Sequence, residues 1–430
     1  MIYHLFQYLE SIGVDFPGMG LTHYLSFRAM MAAVTAVLVA MYAGKRIIGL
    51  LQRAQIGETV RDLGLADQIQ KKGTPTMGGI IIILSILTGV LLFCDLTNIY
   101  VILLIISTLW CGALGFTDDY IKVFRHNKEG MSEKGKLLGQ IILGFIVGIT
   151  VWMSPDIVVR EKVEVKESIE RTLETETTVT SGRYVQEDVV KSTKTTIPFV
   201  KNHEFDYSWL SPLKGTWGWY AKWAIYVFMI VLVITACSNG TNLSDGLDGL
   251  AAGTSAIVGV VLGIMAWLGG NLIDSKFLNI MYIPGSGEIA IFMSAFVGAL
   301  IGFLWFNSFP AQVFMGDTGS LTIGGIIGVS AVLMRKELLI PLLCGVFFTE
   351  SLSVIIQRVW FRFTKKRTGV GHRVWSMTPL HHHFQDKKAP EGPVLFPKPV
   401  PALHEAKITV RFWIVGLILA VSTLALLKIR

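Results

Sequence analysis

Apolar residues gather into ten long runs, at roughly 25–50, 78–95, 99–117, 137–154, 220–238, 249–269, 288–306, 319–335, 338–360 and 409–428. A helix that crosses the hydrocarbon of a bilayer needs about 20 mostly apolar residues. Each run therefore predicts a spanning helix, and the expected fold class is an all-α integral membrane protein with about ten transmembrane helices. The sixth and eighth runs are rich in glycine, as membrane helices often are. Ahead of the first run, residues 1–20 carry Glu10 and Asp15 and no basic start. That is not the pattern of a secretory signal, and an amphipathic helix lying in the interface fits it better.

One polar stretch interrupts the alternation of spans and short loops. Residues 155–218 hold eleven acidic and nine basic residues. Their β-branched residues alternate roughly around Ser181-Gly182, which predicts a small extracytoplasmic β-rich insertion, with disorder as the alternative. No internal repeat or separate soluble domain is evident, so residues 1–430 are expected to form one polytopic domain with the insertion inside it.

Composition sharpens this picture. The chain is 52% hydrophobic and 16% charged, with mean hydropathy +0.56. Soluble domains carry about 25% charged residues. The net charge of +7 is modest and its basic residues lie in a few loops. That is a topology signal at a membrane surface, not a nucleic-acid footprint. Cys94, Cys111, Cys237 and Cys344 lie in or beside apolar runs without metal-ligand spacing, so core thiols are expected.

With ten spans numbered in order, five polar motifs fall in loops 1–2, 3–4, 5–6, 7–8 and 9–10. They are KKGTPTMGG (71–79), FTDDYIK (116–122), NGTNLSDGLDGL (239–250), FMGDTGS (314–320) and PLHHHF (379–384). All five share one face. From Arg358 to Arg411 there are eleven Lys/Arg against three Asp/Glu, and the 3–4 loop adds Lys122, Arg125, Lys128, Lys134 and Lys136. The positive-inside rule makes this face cytoplasmic; Arg335, Lys336, Lys428 and Arg430 on the other face weaken the signal without reversing it.

Carboxylates beside lipid are costly and mark function by default. Asp118 and Asp119 are adjacent, and neighbours on a helix diverge by about 100°. One is expected to face a reacting centre and the other to support it, with Lys122 a turn away from both. Asn239, Asn242, Asp245 and Asp248 recur every three residues, so on a continuous helix they line one wall. Asp317 sits between glycines at the start of the eighth span. A magnesium ion that takes one or two carboxylates and leaves substrate phosphates to complete its shell suits it, and a helix N-terminus favours an anion. Thr318 and Ser320 read as helix caps, and Phe314 as a packing aromatic or a stacking face for a base. Lys71 and Lys72 read as phosphate partners or a plain basic juxtamembrane segment; no P-loop pattern is present. Three consecutive histidines, His381, His382 and His383, seldom converge on one metal. They are expected as donors to a phosphate or sugar at the cytoplasmic surface, where Lys365, Lys366, Arg367, His372 and Arg373 draw anions; a loop binding lipid head groups is the plainer reading.

These motifs, in this order and spacing, resemble the polyprenyl-phosphate hexose-1-phosphate transferase superfamily. DGLDGL and the DD pair are shared across it, and PLHHHF points to its muramoyl-pentapeptide branch. The likeness covers nearly the whole chain except 155–218, where typical members are shorter. It implies a magnesium-dependent transfer at the cytoplasmic face of the bacterial inner membrane: UDP-N-acetylmuramoyl-pentapeptide and undecaprenyl phosphate give lipid I and UMP. It also implies that Asp118, Asp119 and Asp317 are essential carboxylates, with Asp317 on the metal and His381 beside them in catalysis. Lys72, Lys122, Asn239, Asn242, Asp245, Asp248, Asn307, Phe314, His382 and His383 would line the nucleotide and phosphate site. Membrane lipids are the other partners, nucleic acid is not one, and a homodimer is one of the assembly states left open. Direct attack by the lipid phosphate is favoured over a covalent carboxylate intermediate. The alternative function is transfer of N-acetylglucosamine-1-phosphate to the same lipid. A transporter fits poorly, because transporter sites lie near the midplane, often between repeated halves.

Overall fold

The computed structural model describes all residues except 15–16, 55–72, 126, 128, 166–183, 199–203, 279, 386–392, 398, 400 and 428–430. Each of the ten apolar runs forms helix. They become α2 (Leu25–Arg53), α3 (Gly79–Phe93), α4 (Ile99–Phe124), α5 (Glu133–Met153), α6 (Gly215–Ser244), α7 (Leu250–Gly270), α9 (Gly287–Asn307), α10 (Gly316–Leu333), the pair α11 (Ile340–Leu343) and α12 (Gly345–Thr368), and α14 (Glu405–Leu426). Short helices α1 (Ile2–Ser11), α8 (Leu272–Leu278) and α13 (Leu380–Gln385) complete the set. α1 buries none of its residues, as an interfacial helix would.

Among the described residues, eight helices are long and apolar enough to cross a membrane: α2, α4, α5, α6, α7, α9, α10 and α14. The other two runs depart from straight rods. α3 has 15 residues, which at 1.5 Å per residue is about 22 Å and short of a full crossing. The ninth run is broken, with Glu337–Leu343 and Gly345–Thr368 meeting at 79°. Pro341 near the start of α11 and Gly345 at the start of α12 flank the break, and proline and glycine are the usual causes of such kinks. The chain is thus a multi-pass membrane protein, with ten apolar helical runs of which eight are plain spans.

α10 is the central helix. All of its residues from Thr318 to Leu333 are buried, and it packs on α3, α4, α6 and α7. Helices in lipid gain little from hydrophobic burial against each other, so close backbone approach through small residues carries the packing. Gly115 of α4 lies so near the Asp317 backbone that a methyl group would overlap it, and Gly79 of α3 meets Gly319 in the same way. Those contacts bring the ends of α3 and α4 onto the N-terminus of α10.

The loops sort to two ends. At one, Gly78 N donates to Phe314 O and Gly79 N to Met315 O, and Asp119 accepts from Asp317 N. At the other, Arg28 pairs with Glu288 at 2.6 Å, and Asp95 N donates to the same glutamate. The polar stretch lies at this second end. β1 (Val159–Val165) pairs antiparallel with β2 (Tyr184–Val190), and β3 (Lys194–Thr196) with β4 (Glu204–Asp206); the Ser181-Gly182 turn falls outside the described residues. β3 and Tyr207, which succeeds β4, are seated on the helices. Thr195, Thr196 and Tyr207 are buried. Thr196 N and Thr195 Oγ1 both donate to Arg335 O, at 3.0 and 3.1 Å, and Lys336 Nζ donates to Thr196 Oγ1 at 2.5 Å. The insertion therefore closes over the far end of α10. Burial there pushes the Lys336 ammonium down to about 8. The four cysteines are buried and free, as expected.

Candidate active site

Asp118 and Asp119 stand in the last two turns of α4, and Asp317 is the second residue of α10. Oxygen atoms of all three lie within 4.8 Å of one another. The two adjacent aspartates divide the work, as their divergence on a helix predicts. Asp119 turns to α10: its Oδ1 accepts from Asp317 N (3.1 Å), and its Oδ2 from Thr318 N (2.9 Å) and Thr318 Oγ1 (2.6 Å). It caps that helix from outside and fixes the backbone that carries Asp317. A carboxylate at a helix N-terminus is favoured by both the free N–H groups and the dipole. Asp118 turns to cations. Lys122 Nζ is 2.5 Å from its Oδ2, Lys136 Nζ is 3.0 Å from its Oδ1, and Met131 N donates to it at 2.7 Å.

The same two lysines reach Asp317 Oδ2, Lys122 at 3.0 Å and Lys136 at 2.5 Å, while Asn242 Nδ2 donates to Asp317 Oδ1 at 2.8 Å and to Ser320 Oγ at 2.9 Å. Two ammonium groups and three carboxylates share one small volume. Three carboxylates this close demand positive charge, and their oxygen donors suit a hard divalent cation. The residues present fit a metal, with the lysines free to serve carboxylates or phosphates.

The remaining motif residues arrange themselves differently from expectation. α6 ends at Ser244, with Asp245 as its C-cap, so the three-residue spacing does not produce a four-residue wall. Asn239 and Asn242 remain on the helix; Asn239 exchanges hydrogen bonds with Gln140 (3.0 and 3.1 Å). Asp245 is half-buried in the turn after the helix. Asp248 is buried and accepts from Ala311 N at 3.0 Å, while its own N–H donates to Glu405 at 2.7 Å. Asn307 is also a brace, with Oδ1 accepting from Gly249 N and Nδ2 donating to Val313 O. Phe314 is half-buried. Lys72 lies outside the described residues.

The histidines are not a row of surface donors. Successive residues on α13 point about 100° apart, so the three cannot share one direction; His381 and His383 are buried between different neighbours and His382 is half-buried. His383 Nδ1 accepts from Ser376 N, and His381 stands against Glu350, Nδ1 to Oε2 at 3.2 Å. Sequence reasoning passed over Lys136 as a site residue, and over Gln140, Glu350 and Glu405. A signal existed for several of them. Lys136 and Gln140 are one turn apart at the start of an apolar helix, and Glu350 is the only acidic residue of α12.

Comparison with known proteins agrees with this geometry. The family model of the Glycosyl transferase family 4 matches residues 190–335, and the phospho-N-acetylmuramoyl-pentapeptide-transferase signature 1 matches residues 71–83. A phospho-N-acetylmuramoyl-pentapeptide-transferase of Parabacteroides distasonis is 53% identical over 430 residues, covering 100% of both chains. Enzymes of the same name from Porphyromonas gingivalis and Flavobacterium psychrophilum are 53% and 50% identical, again over 100% of both chains. These relatives run the full length of the chain, insertion included, so they have the length to hold the polar stretch as well. With a carboxylate cluster at the helix ends and half of all positions identical end to end, the chain belongs to the phospho-N-acetylmuramoyl-pentapeptide-transferase family.

Proposed function

We propose that this protein transfers phospho-N-acetylmuramoyl-pentapeptide from its UDP donor to undecaprenyl phosphate, giving lipid I and UMP, on the cytoplasmic side of a bacterial inner membrane. The observation that carries the reading is the set Asp118, Asp119 and Asp317 bridged by Lys122 and Lys136. It sits at helix ends where a lipid phosphate and a water-soluble nucleotide can meet. The excess of Lys/Arg in the motif loops supports the cytoplasmic side, and the whole chain acts as one transferase unit.

Bound magnesium, held by Asp317 with Asp118 in reach, would screen the two phosphates from each other and stabilise charge on the departing UMP. Lys122 and Lys136 supply further positive charge to the donor diphosphate, joined by Lys72. An oxygen of the lipid phosphate forms the new bond to the sugar-bearing phosphorus. The anhydride bond breaks and UMP leaves with its electron pair. Asp118 accepts any proton left on the lipid phosphate. Direct attack is favoured because the lipid phosphate is already ionised near neutral pH and is itself a nucleophile, so no carboxylate has to attack first. Asn239, Asn242, Asp245, Phe314 and His382 line the donor side, and Asp248, Asn307, His381 and His383 shape it from beneath.

A UMP-release assay with undecaprenyl phosphate and each donor tests the reading. Turnover of UDP-N-acetylmuramoyl-pentapeptide is the expected result. Turnover of UDP-N-acetylglucosamine alone would move the protein to the sister reaction, which the signature match and the relatives' names do not favour.

A further inference from the structure

Glu350 has no place in the transfer chemistry, yet it is one of the costliest residues in the chain. It lies in α12 just beyond the bend, is 0% exposed, and sits in the first, mostly apolar half of a helix whose last turn is basic. A buried carboxylate persists only where its partners compensate, and inside a membrane such a group is functional by default. Among the described residues, its side-chain partners belong to one residue. Both Glu350 oxygens accept from His381 N, at 3.2 and 3.3 Å, and Oε2 is 3.2 Å from His381 Nδ1. The opposite ring edge is aimed elsewhere. Nδ1 has that ion-pair contact but no hydrogen bond, and Nε2, also buried and without a hydrogen bond, lies against Gly246, where a methyl group would overlap it. Gly246 stands between Asp245 and Asp248 in the turn after α6.

We infer that Glu350 is a positioning residue for the transfer reaction, acting through His381 to present its Nε2 edge to the 245–249 turn and the donor bound over it. The inference rests on the proposed reading that His381 belongs to the donor site. A carboxylate 3.2 Å from Nδ1 favours the proton on that nitrogen and leaves Nε2 as the working edge. A purely structural role is distinguishable. Glutamine at 350 has the same shape and still accepts from His381 N through its carbonyl. Its amide, however, donates to Nδ1 and drives the proton to Nε2.

The test uses the full chain in detergent, as wild type, E350Q, H381Q and the double variant, with kcat and donor KM from UMP release and melting temperature alongside. E350Q is expected to melt within a few degrees of wild type, to lose about 10- to 100-fold in kcat, the range for carboxylates that orient a working histidine, and to keep donor KM within about twofold. The double variant should be no slower than H381Q, because Glu350 then has nothing to position. Wild-type kcat in E350Q, or a loss that adds in full to that of H381Q, overturns the inference. Should E350Q fold poorly, Glu350→Asp retains charge while drawing the oxygens back about 1.5 Å; wild-type kcat in that folded variant overturns it equally. Full activity of H381Q alone would instead remove the reading on which the inference stands.

Discussion

Asp317 and Asp119 are separated by function more than by distance. Asp317 shares lysines and an amide with the open cluster, whereas Asp119 accepts three hydrogen bonds from α10. Asp317→Asn removes charge at the reacting centre and leaves the helix cap intact. UMP release should fall by about 10²- to 10³-fold, the scale of losing one electrostatic contact to a transition state, with an unchanged melting temperature. Asp119→Ala removes the cap. It should cost about 1–2 kcal/mol of stability as well as activity, seen as a lowered melting temperature in the same preparation. The sequence made both aspartates and Asn242 legible, because polar groups beside apolar runs need a reason to be there. It misplaced Asp248 and His381. The spacing argument for Asp248 presumed a helix that continues, but α6 stops at Ser244. Three consecutive histidines look alike in a linear pattern, but a helix sends them three ways.

At the scale of elements, the site is an agreement between α4 and α10, and glycine permits it. Gly115→Val would press against the Asp317 backbone. Overpacking of this kind costs about 1–3 kcal/mol, and activity should fall further than stability because the carboxylates separate. Gly49→Ala on α2 meets nothing within 4 Å and should keep both, with melting and turnover measured in parallel. The far end of α10 offers a separate check. Burial holds the Lys336 ammonium near 8, below its ordinary value of about 10.4. Between those pH values the folded chain binds fewer protons than the unfolded one, so stability rises with pH. The melting temperature of wild type, relative to K336M, should climb from about pH 8 to pH 10; a flat difference would remove the buried ammonium from the account. All ten helical runs were legible from hydropathy alone. The 79° break in the ninth and the seating of β3 on α10 were not, since both depend on partners distant in sequence.

For the whole molecule, alternation of the ten runs gathers five motif loops at one end, and the structure joins all five by direct contact. Exposed position Glu133 opens α5 at the motif end, exposed Gln312 lies in a motif loop, and Thr97 lies in a loop of the other end. Single cysteines at Glu133 and Gln312 should be labelled from the same side of sealed vesicles, and one at Thr97 from the opposite side. The parity of spans was legible in the sequence. The convergence of loops was legible only through the chemistry they share, because nothing in a linear pattern states which helix ends touch. The most direct test of that convergence is UMP release by the purified protein, supplied with UDP-N-acetylmuramoyl-pentapeptide and undecaprenyl phosphate, across a magnesium titration. Activity should vanish under complete chelation, return with added magnesium, and stay about 10²- to 10³-fold below wild type in Asp317→Asn at every magnesium concentration; full turnover by wild type in excess chelator would contradict a metal-dependent carboxylate centre.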